Sequence, residues 1–266
     1  MESQLINLEV AWSLSFRLVA WALLLSGLEM LWILGQPGFQ KIWSFKNLQI
    51  EFEKSLPLNS QLANFLLQTG TLRLVVLSEI LISGGALLFP QPSMAWILLA
   101  THLLICFRFR GTFNGGSDMM IFVVLTGLAL GSLGAPGKTE KLGLLYICIH
   151  TLYSYFKAGW VKLREKDWQR GKALPQFLAR SLRPLGQKVS VWLSQLPVFS
   201  VVLSWSVIFF EVASLALILN PRLAPIYGGL ALIFHFMNYL FFGLNRFFWA
   251  WLAAWPAVIF TLSFSF

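Results

Sequence analysis

Eight nearly unbroken apolar stretches, at roughly residues 10–34, 71–89, 92–107, 118–133, 141–161, 198–219, 223–244 and 247–265, leave this chain little choice of fold. A run of about 20 apolar residues crosses the hydrocarbon of a bilayer as a helix, because backbone in lipid has to satisfy its own hydrogen bonds. The expected fold class is therefore all-α: a polytopic helical membrane protein of about eight transmembrane helices with one or two interfacial amphipathic helices. The third and fourth runs are short, and a re-entrant pair there is the alternative, so the expected count runs from seven to nine. Composition agrees, since 57% hydrophobic and 12% charged residues depart far from the about 45–50% and 25% of soluble domains. No repeat and no Pro- or Gly/Ser-rich linker divides the chain, so residues 1–266 read as a single transmembrane domain.

The net charge of +9 would suggest nucleic acid in a soluble domain; in a polytopic chain it reports topology, because basic residues collect in cytoplasmic loops. With eight spans, one side holds 13 basic residues: Lys41, Lys46, Lys54, Arg108, Arg110, Arg164, Lys166, Arg170, Lys172, Arg180, Arg183, Lys188 and Arg246. The other holds Lys138, Lys141 and Arg222. The expectation is an integral, multi-pass protein of the plasma membrane, its basic side cytoplasmic and both termini outside, with the lipid bilayer and no nucleic acid as partner. "MESQLINLEVAW" lacks the positive start of a signal peptide, so the first helix is expected to remain in the mature protein. Cys106 and Cys148 sit inside apolar runs, which argues for neither a disulfide framework nor a CxxC metal or redox site.

Two segments break the pattern. Residues 36–70 place Leu62, Phe65 and Leu66 at helical spacing and predict a surface helix. Residues 163–197 carry seven basic and two acidic residues, with Trp168, Leu174, Phe177 and Leu178 able to share one face. That is the pattern of an interfacial amphipathic helix, the alternative being a basic cytoplasmic loop. "FFWAWLAAWP" reads as an aromatic belt at headgroup level.

Ionisable side chains inside spans are costly unless paired or wetted, and mark cavities by default. Here they are Arg17, Glu29, Arg73, Glu79, His102, Asp118, His150, Lys157, Lys162, Glu211 and His235, with Asn238 beside the last. On the fifth run Tyr146, His150, Tyr153 and Lys157 form one polar stripe, and Thr151, Tyr155 and Lys162 a second face. His235 and Asn238 are three apart and can point together. Counting depth along each run predicts one polar cavity shared by Asp118, Lys162, Glu211 and His235, opening toward the basic side. Ion pairs that merely fix helix packing are the alternative.

"YFKAGWVKLREKDW" (155–168) and "FHFMNYLFFGLNRF" (234–247) resemble segments of the vitamin K-dependent gamma-carboxylases and of the wider HTTM (horizontally transferred transmembrane) family. The resemblance implies that Lys162 is an amine base acting on a reduced quinone such as vitamin K, with His235 and Asn238 lining or supporting the pocket. Such a base works only when neutral, a form that surroundings of low dielectric favour. The further ligand-binding candidates are Asp118, Tyr155, Glu211, His150 and Asn114, with no metal ligands. Two departures matter: aligning Asn114 and Ser117 with the carboxylases' Asn-Asn-His-Ser run puts Gly116 where their His stands, and these 266 residues hold no counterpart of their large lumenal region. The loop charges also set Lys162 near the cytoplasm, whereas the carboxylases work from the lumen.

The function expected from the sequence is a membrane pocket for a quinone-like or lipid-like ligand with lysine-base chemistry, glutamyl carboxylation being the less favoured activity. The alternative is a non-catalytic membrane partner assisting maturation or export of another protein or peptide, docked through 163–197. A third reading makes His102, His150 and His235 haem ligands. Carriers often show internal repeats or paired broken helices, which are missing here. No phosphate-binding loop, HExxH or GxSxG occurs either.

Overall fold

The computed structural model describes residues 6–42, 61, 65, 68–109, 116–135 and 137–263. Regular structure among them is entirely helical: α1 (Leu8–Leu34), α2 (Pro37–Ile42), α3 (Thr69–Leu88), α4 (Pro92–Arg108), α5 (Asp118–Gly131), α6 (Lys138–Arg164), α7 (Lys166–Gln169), α8 (Ala173–Ala179), α9 (Pro184–Gln195), α10 (Pro197–Val212), α11 (Ala216–Leu219), α12 (Ala224–Phe242) and α13 (Asn245–Ser263). Each of the eight apolar runs becomes helix, the sixth as α10 continued through a 3-10 turn into α11. Local chemistry sets the starts: the Asn7 side chain accepts the Val10 N–H, Glu140 reaches back to the Gly137 N–H, and Pro92, Pro184 and Pro197 occupy first turns where no amide partner is needed.

Five helical stretches are long and apolar enough to cross a membrane: Leu8–Leu34, Thr69–Leu88, Pro197–Leu219, Pro221–Phe242 and Asn245–Ser263. The expected spans at α4 and α5 have 17 and 14 residues, and at 1.5 Å per residue the shorter reaches only about 21 Å against a hydrocarbon core of about 30 Å. α6 is long enough at 27 residues but carries charges at both ends. With these helices the chain is an integral membrane protein.

Successive long helices run antiparallel, as long-range contacts record. Arg17 of α1 donates to the carbonyls of Leu87 and Leu88 at the end of α3, and Arg73 of α3 to that of Leu34 at the end of α1. Both intramembrane arginines thus serve carbonyls left open by a helix terminus, not a cavity. Ser214 donates to the Leu152 carbonyl, tying the turn after α10 to mid-α6. The ends of α1, α4, α6 and α12 and the starts of α3, α5, α10 and α13 therefore gather on one face. The core lies between α1, α5, α6 and α13, with Phe16, Leu23, Val124, Leu128, Leu144, Ile147, Ala253 and Ala257 fully buried. Alanines on α13 and glycines on α5 allow the close helix approach that lipid-embedded packing requires.

The 163–197 segment is three short helices rather than one. Gly171 adopts a positive φ of 69° between α7 and α8, and Ser181 turns the chain before Pro184 starts α9. Together α7 to α9 lie across the gathered helix ends, where α9 packs on α10 and α12. Of the segment 36–70, in which a surface helix is expected, residues 36–42, 61, 65 and 68–70 are described and include α2; Leu62 and Leu66 lie outside the described residues, as does Arg110.

Candidate functional site

A cavity of about 510 Å³ opens between α5, α6, α10, α12 and α13 and is covered by α7 and α8. Its walls are mainly apolar, and its polar groups come from the second face of α6, from α10 and from α12. Of the sequence candidates, Tyr155, Lys162, Glu211, His235 and Asn238 line it.

The Lys162 ammonium donates to both oxygens of Glu211 at 2.7 Å, and the Trp168 ring lies 5.3 Å from the same nitrogen. Glu211 is nearly sealed, with 4% of its side chain exposed, while Lys162 keeps 20%. A glycine makes the contact possible. A β-carbon at Gly159, one turn before Lys162, would come within 2.8 Å of the Glu211 Cβ and the Val212 amide nitrogen, so only glycine lets α6 approach α10 this closely.

Deeper in the bundle, the Tyr155 hydroxyl and His235 Nε2 are 2.6 Å apart. His235 lies stacked on Trp251, ring centroids 4.8 Å apart, with Phe247 and Phe234 edge-on at 5.0 and 5.2 Å. Tyr155 is enclosed by Phe210, Tyr227, Trp251 and Trp255. The other imidazole nitrogen, Nδ1, is buried without a hydrogen-bond partner among the described residues. If the tyrosine donates to Nε2, then Nδ1 carries a proton to offer; if Nε2–H donates to the phenol oxygen, Nδ1 is an acceptor. Asn238 spends one amide hydrogen on the Phe234 carbonyl at 3.1 Å.

The expected single chamber is in fact two. Asp118 faces a second cavity of about 220 Å³, lined also by Ser26, His102, Cys106 and Arg246. Arg246 bridges Asp118 at 3.7 Å and Glu29 at 3.6 Å and donates to Ser26 at 3.1 Å. His102 Nε2 lies 3.0 Å from the Asp118 carbonyl oxygen and 3.5 Å from Cys106 Sγ. The two cavities share no lining residue, and on the main cavity's side the Trp251 indole N–H donates to the Gly116 carbonyl at 3.0 Å. Gly116, the residue aligned with the carboxylase histidine, thus enters the main cavity through its backbone.

His150 lines neither chamber; its ring packs on Tyr146 at 4.4 Å. Of the rest of its stripe, Tyr146 packs against the core while Tyr153 and Lys157 are exposed, the Lys157 ammonium 6.0 Å from the Tyr153 ring. Asn114 lies outside the described residues. The three histidines do not converge, which removes the geometric basis for haem ligation. Trp251 and Trp255, expected in a headgroup belt, are buried at 8% and 4% exposure as walls of the Tyr155 box. Sequence reasoning did not single out Phe234, Phe247 and Trp251 as pocket residues, although their closeness to His235 in "FHFMNYLFFGLNRF" and the tryptophan run was the available signal. Trp168, Leu174 and Phe177, read as one amphipathic face, do lie together, and that face roofs the cavity.

Residues 141–262 match the HTTM domain. The matched stretch holds both polar pairs of the main cavity, whereas Asp118 and Gly116 lie before it. No curated protein and no solved structure matches the chain.

Proposed function

Starting from an integral membrane protein whose residues 141–262 form an HTTM domain, we propose that the chain is a multi-pass protein of the plasma membrane. It binds a quinone-like or lipid-like small molecule between α6, α10, α12 and α13. One observation carries this reading: two polar pairs, Lys162–Glu211 and Tyr155–His235, face the same apolar cavity. Asn238, which lines the cavity and gives only one amide hydrogen to Phe234, has the rest of its amide to offer a ligand carbonyl or hydroxyl. At about 510 Å³ the space falls within the about 300–1,000 Å³ usual for small-molecule sites with apolar walls and few polar groups.

A reduced quinone, when bound, would supply an acidic hydroxyl and two electrons. The chain's own part is to bind and to handle a proton. Aromatic walls exclude water, His235 is held by Tyr155 as part of the wall, and the Asn238 amide orients one oxygen of the ligand. Lys162 is engaged by Glu211 through both carboxylate oxygens, so base chemistry at Lys162 runs through the pair: its proton moves to Glu211, or the pair opens. Glutamyl carboxylation forms no part of the proposal, because Gly116 offers no imidazole.

The test is to extract small molecules from the purified full chain for mass spectrometry, and to titrate it with a menaquinone or ubiquinone analogue while following tryptophan fluorescence. Binding that is lost in Lys162→Ala and His235→Ala supports the reading. Binding untouched by both, or no ligand at all, refutes it.

A further inference from the structure

A third concavity, of about 440 Å³, lies apart from both chambers, between α8, α9 and the start of α10. Arg170, Lys172, Gln176 and Ser194 line it, over a floor made by Pro197 and Ser200. We infer that it holds the phosphate-bearing headgroup of an anionic phospholipid from the protein's own membrane.

Depth comes first. Pro197 opens a helical stretch long and apolar enough to cross a bilayer, so a groove floored by its first turn sits where hydrocarbon gives way to headgroups. Beside it Leu196, Val198 and Phe199 are 40%, 77% and 41% exposed. Those side chains are what acyl chains would cover, directly below a headgroup in the groove.

Charge comes second. Arg170 and Lys172 are both exposed, and neither makes an ion pair, hydrogen bond or ring contact through its side chain among the described residues. The groove's hydroxyls are committed elsewhere: Ser190 donates to the Pro175 carbonyl, Ser194 to that of Ser190 and Ser200 to that of Gly171. What remains to meet a ligand is the Arg170 and Lys172 cations with the Gln176 amide, and a phosphodiester matches these donors. Basic residues at an anionic membrane surface act by the same attraction.

The walls are also held in place before any lipid arrives. The Ser190 and Ser200 bonds tie α9 to α8 and α10 to the turn at Gly171. A β-carbon on Gly171 would fall 2.6 Å from the Val201 amide nitrogen, so the turn carrying Arg170 and Lys172 is clamped against α10.

The experiment uses the purified full chain in detergent, titrated separately with phosphatidylglycerol, phosphatidylcholine and inorganic phosphate, with native mass spectrometry counting retained molecules. Phosphatidylglycerol should be retained in preference to phosphatidylcholine. The double variant Arg170→Gln/Lys172→Gln should bind it about 30-fold more weakly, at about 1 kcal/mol for each basic residue. Lys138→Gln, at the far end of α6, should bind as the parent does, and an unchanged melting temperature shows that the double variant is folded. Equal retention of both lipids, or a double variant that binds like the parent, overturns the inference. Inorganic phosphate binding as tightly as the lipid also overturns it, by making the groove a soluble-anion site, and so does a stoichiometric soluble protein displaced by the double substitution. None of these outcomes bears on the quinone-like ligand, whose cavity shares no residue with the groove.

Discussion

Removing the Glu211 carboxylate alone should destabilise the protein more than removing both members of its pair. In Glu211→Leu the Lys162 ammonium keeps its position on α6 but loses two contacts of 2.7 Å. Breaking a buried ion pair from one side costs about 3–5 kcal/mol, because an uncompensated charge is left in low dielectric. Lys162 retains 20% side-chain exposure and the Trp168 ring at 5.3 Å, a cation–π contact worth about 0.5–1 kcal/mol, so the cost falls near 3 kcal/mol. For a chain of this size that lowers the melting temperature by roughly 6–12 °C. In Lys162→Met/Glu211→Leu no charge is stranded, and apolar replacement of a buried pair is often neutral or better. The double variant should therefore melt within a few degrees of the parent. The assay is thermal unfolding of all four proteins in one detergent, read as a double-mutant cycle. A double variant as unstable as the sum of its singles would refute the claim that the two charges compensate one another. So would a Glu211→Leu protein that melts like the parent.

Four further outcomes test the geometry elsewhere. Tyr155→Phe leaves both nitrogens of His235 unpartnered and should cost about 1–3 kcal/mol of stability, measured by the same melts. Gly159→Ala puts a methyl 2.8 Å from Glu211 Cβ and Val212 N; it should cost about 1–3 kcal/mol as overpacking and weaken the Lys162–Glu211 coupling in a repeated cycle. Arg246→Gln frees Asp118, Glu29 and Ser26 of their shared partner and should lower stability by about 1.5 kcal/mol, while quinone-analogue binding in the main cavity stays as in the parent. The purified protein should show no Soret band in its visible spectrum, since His102, His150 and His235 point to different surroundings.

Much of this was legible in the sequence, for identifiable reasons. Apolar runs announce helices because lipid leaves the backbone no other way to satisfy itself, so each of the eight appears. Lys162, Glu211 and His235 stood out because an ionisable group at that depth has to be explained by a partner. Periodicity on α6 separated two polar faces correctly but could not say which one turns inward. Tyr155 and Lys162 face the cavity, while Tyr153 and Lys157 face out, because the inward direction is set by where α10 and α13 pack. Asp118 was assigned to the wrong chamber for a similar reason: counting along a helix gives depth, not the neighbour met at that depth. The tryptophans of α13 look like an interfacial belt in one dimension, and it is the packing of α13 against α6 and α12 that turns Trp251 and Trp255 into walls around Tyr155. That α7 and α8 roof the cavity depends on a chain reversal at Gly171, which hydropathy does not record.

The division into two chambers bears on what the larger can hold. Adjacent residues serve different cavities: Asp118 and Met119 at the start of α5, Arg246 and Phe247 at the start of α13, each pair giving its charged member to the small cavity and its apolar member to the large one. Had Asp118 shared the main cavity, Lys162 would have faced two carboxylates, and an excess negative charge would have required water or a counter-ion beside the ligand. With Asp118 instead bridged to Arg246 in the small cavity, the main cavity holds one cation and one anion at contact distance, and its net charge is zero. A neutral, apolar molecule can then lie against the pair without bringing a charge of its own into low dielectric. If its hydroxyl gives up a proton to the Glu211 carboxylate, the resulting oxyanion meets the Lys162 ammonium, the only ammonium among the residues lining that cavity.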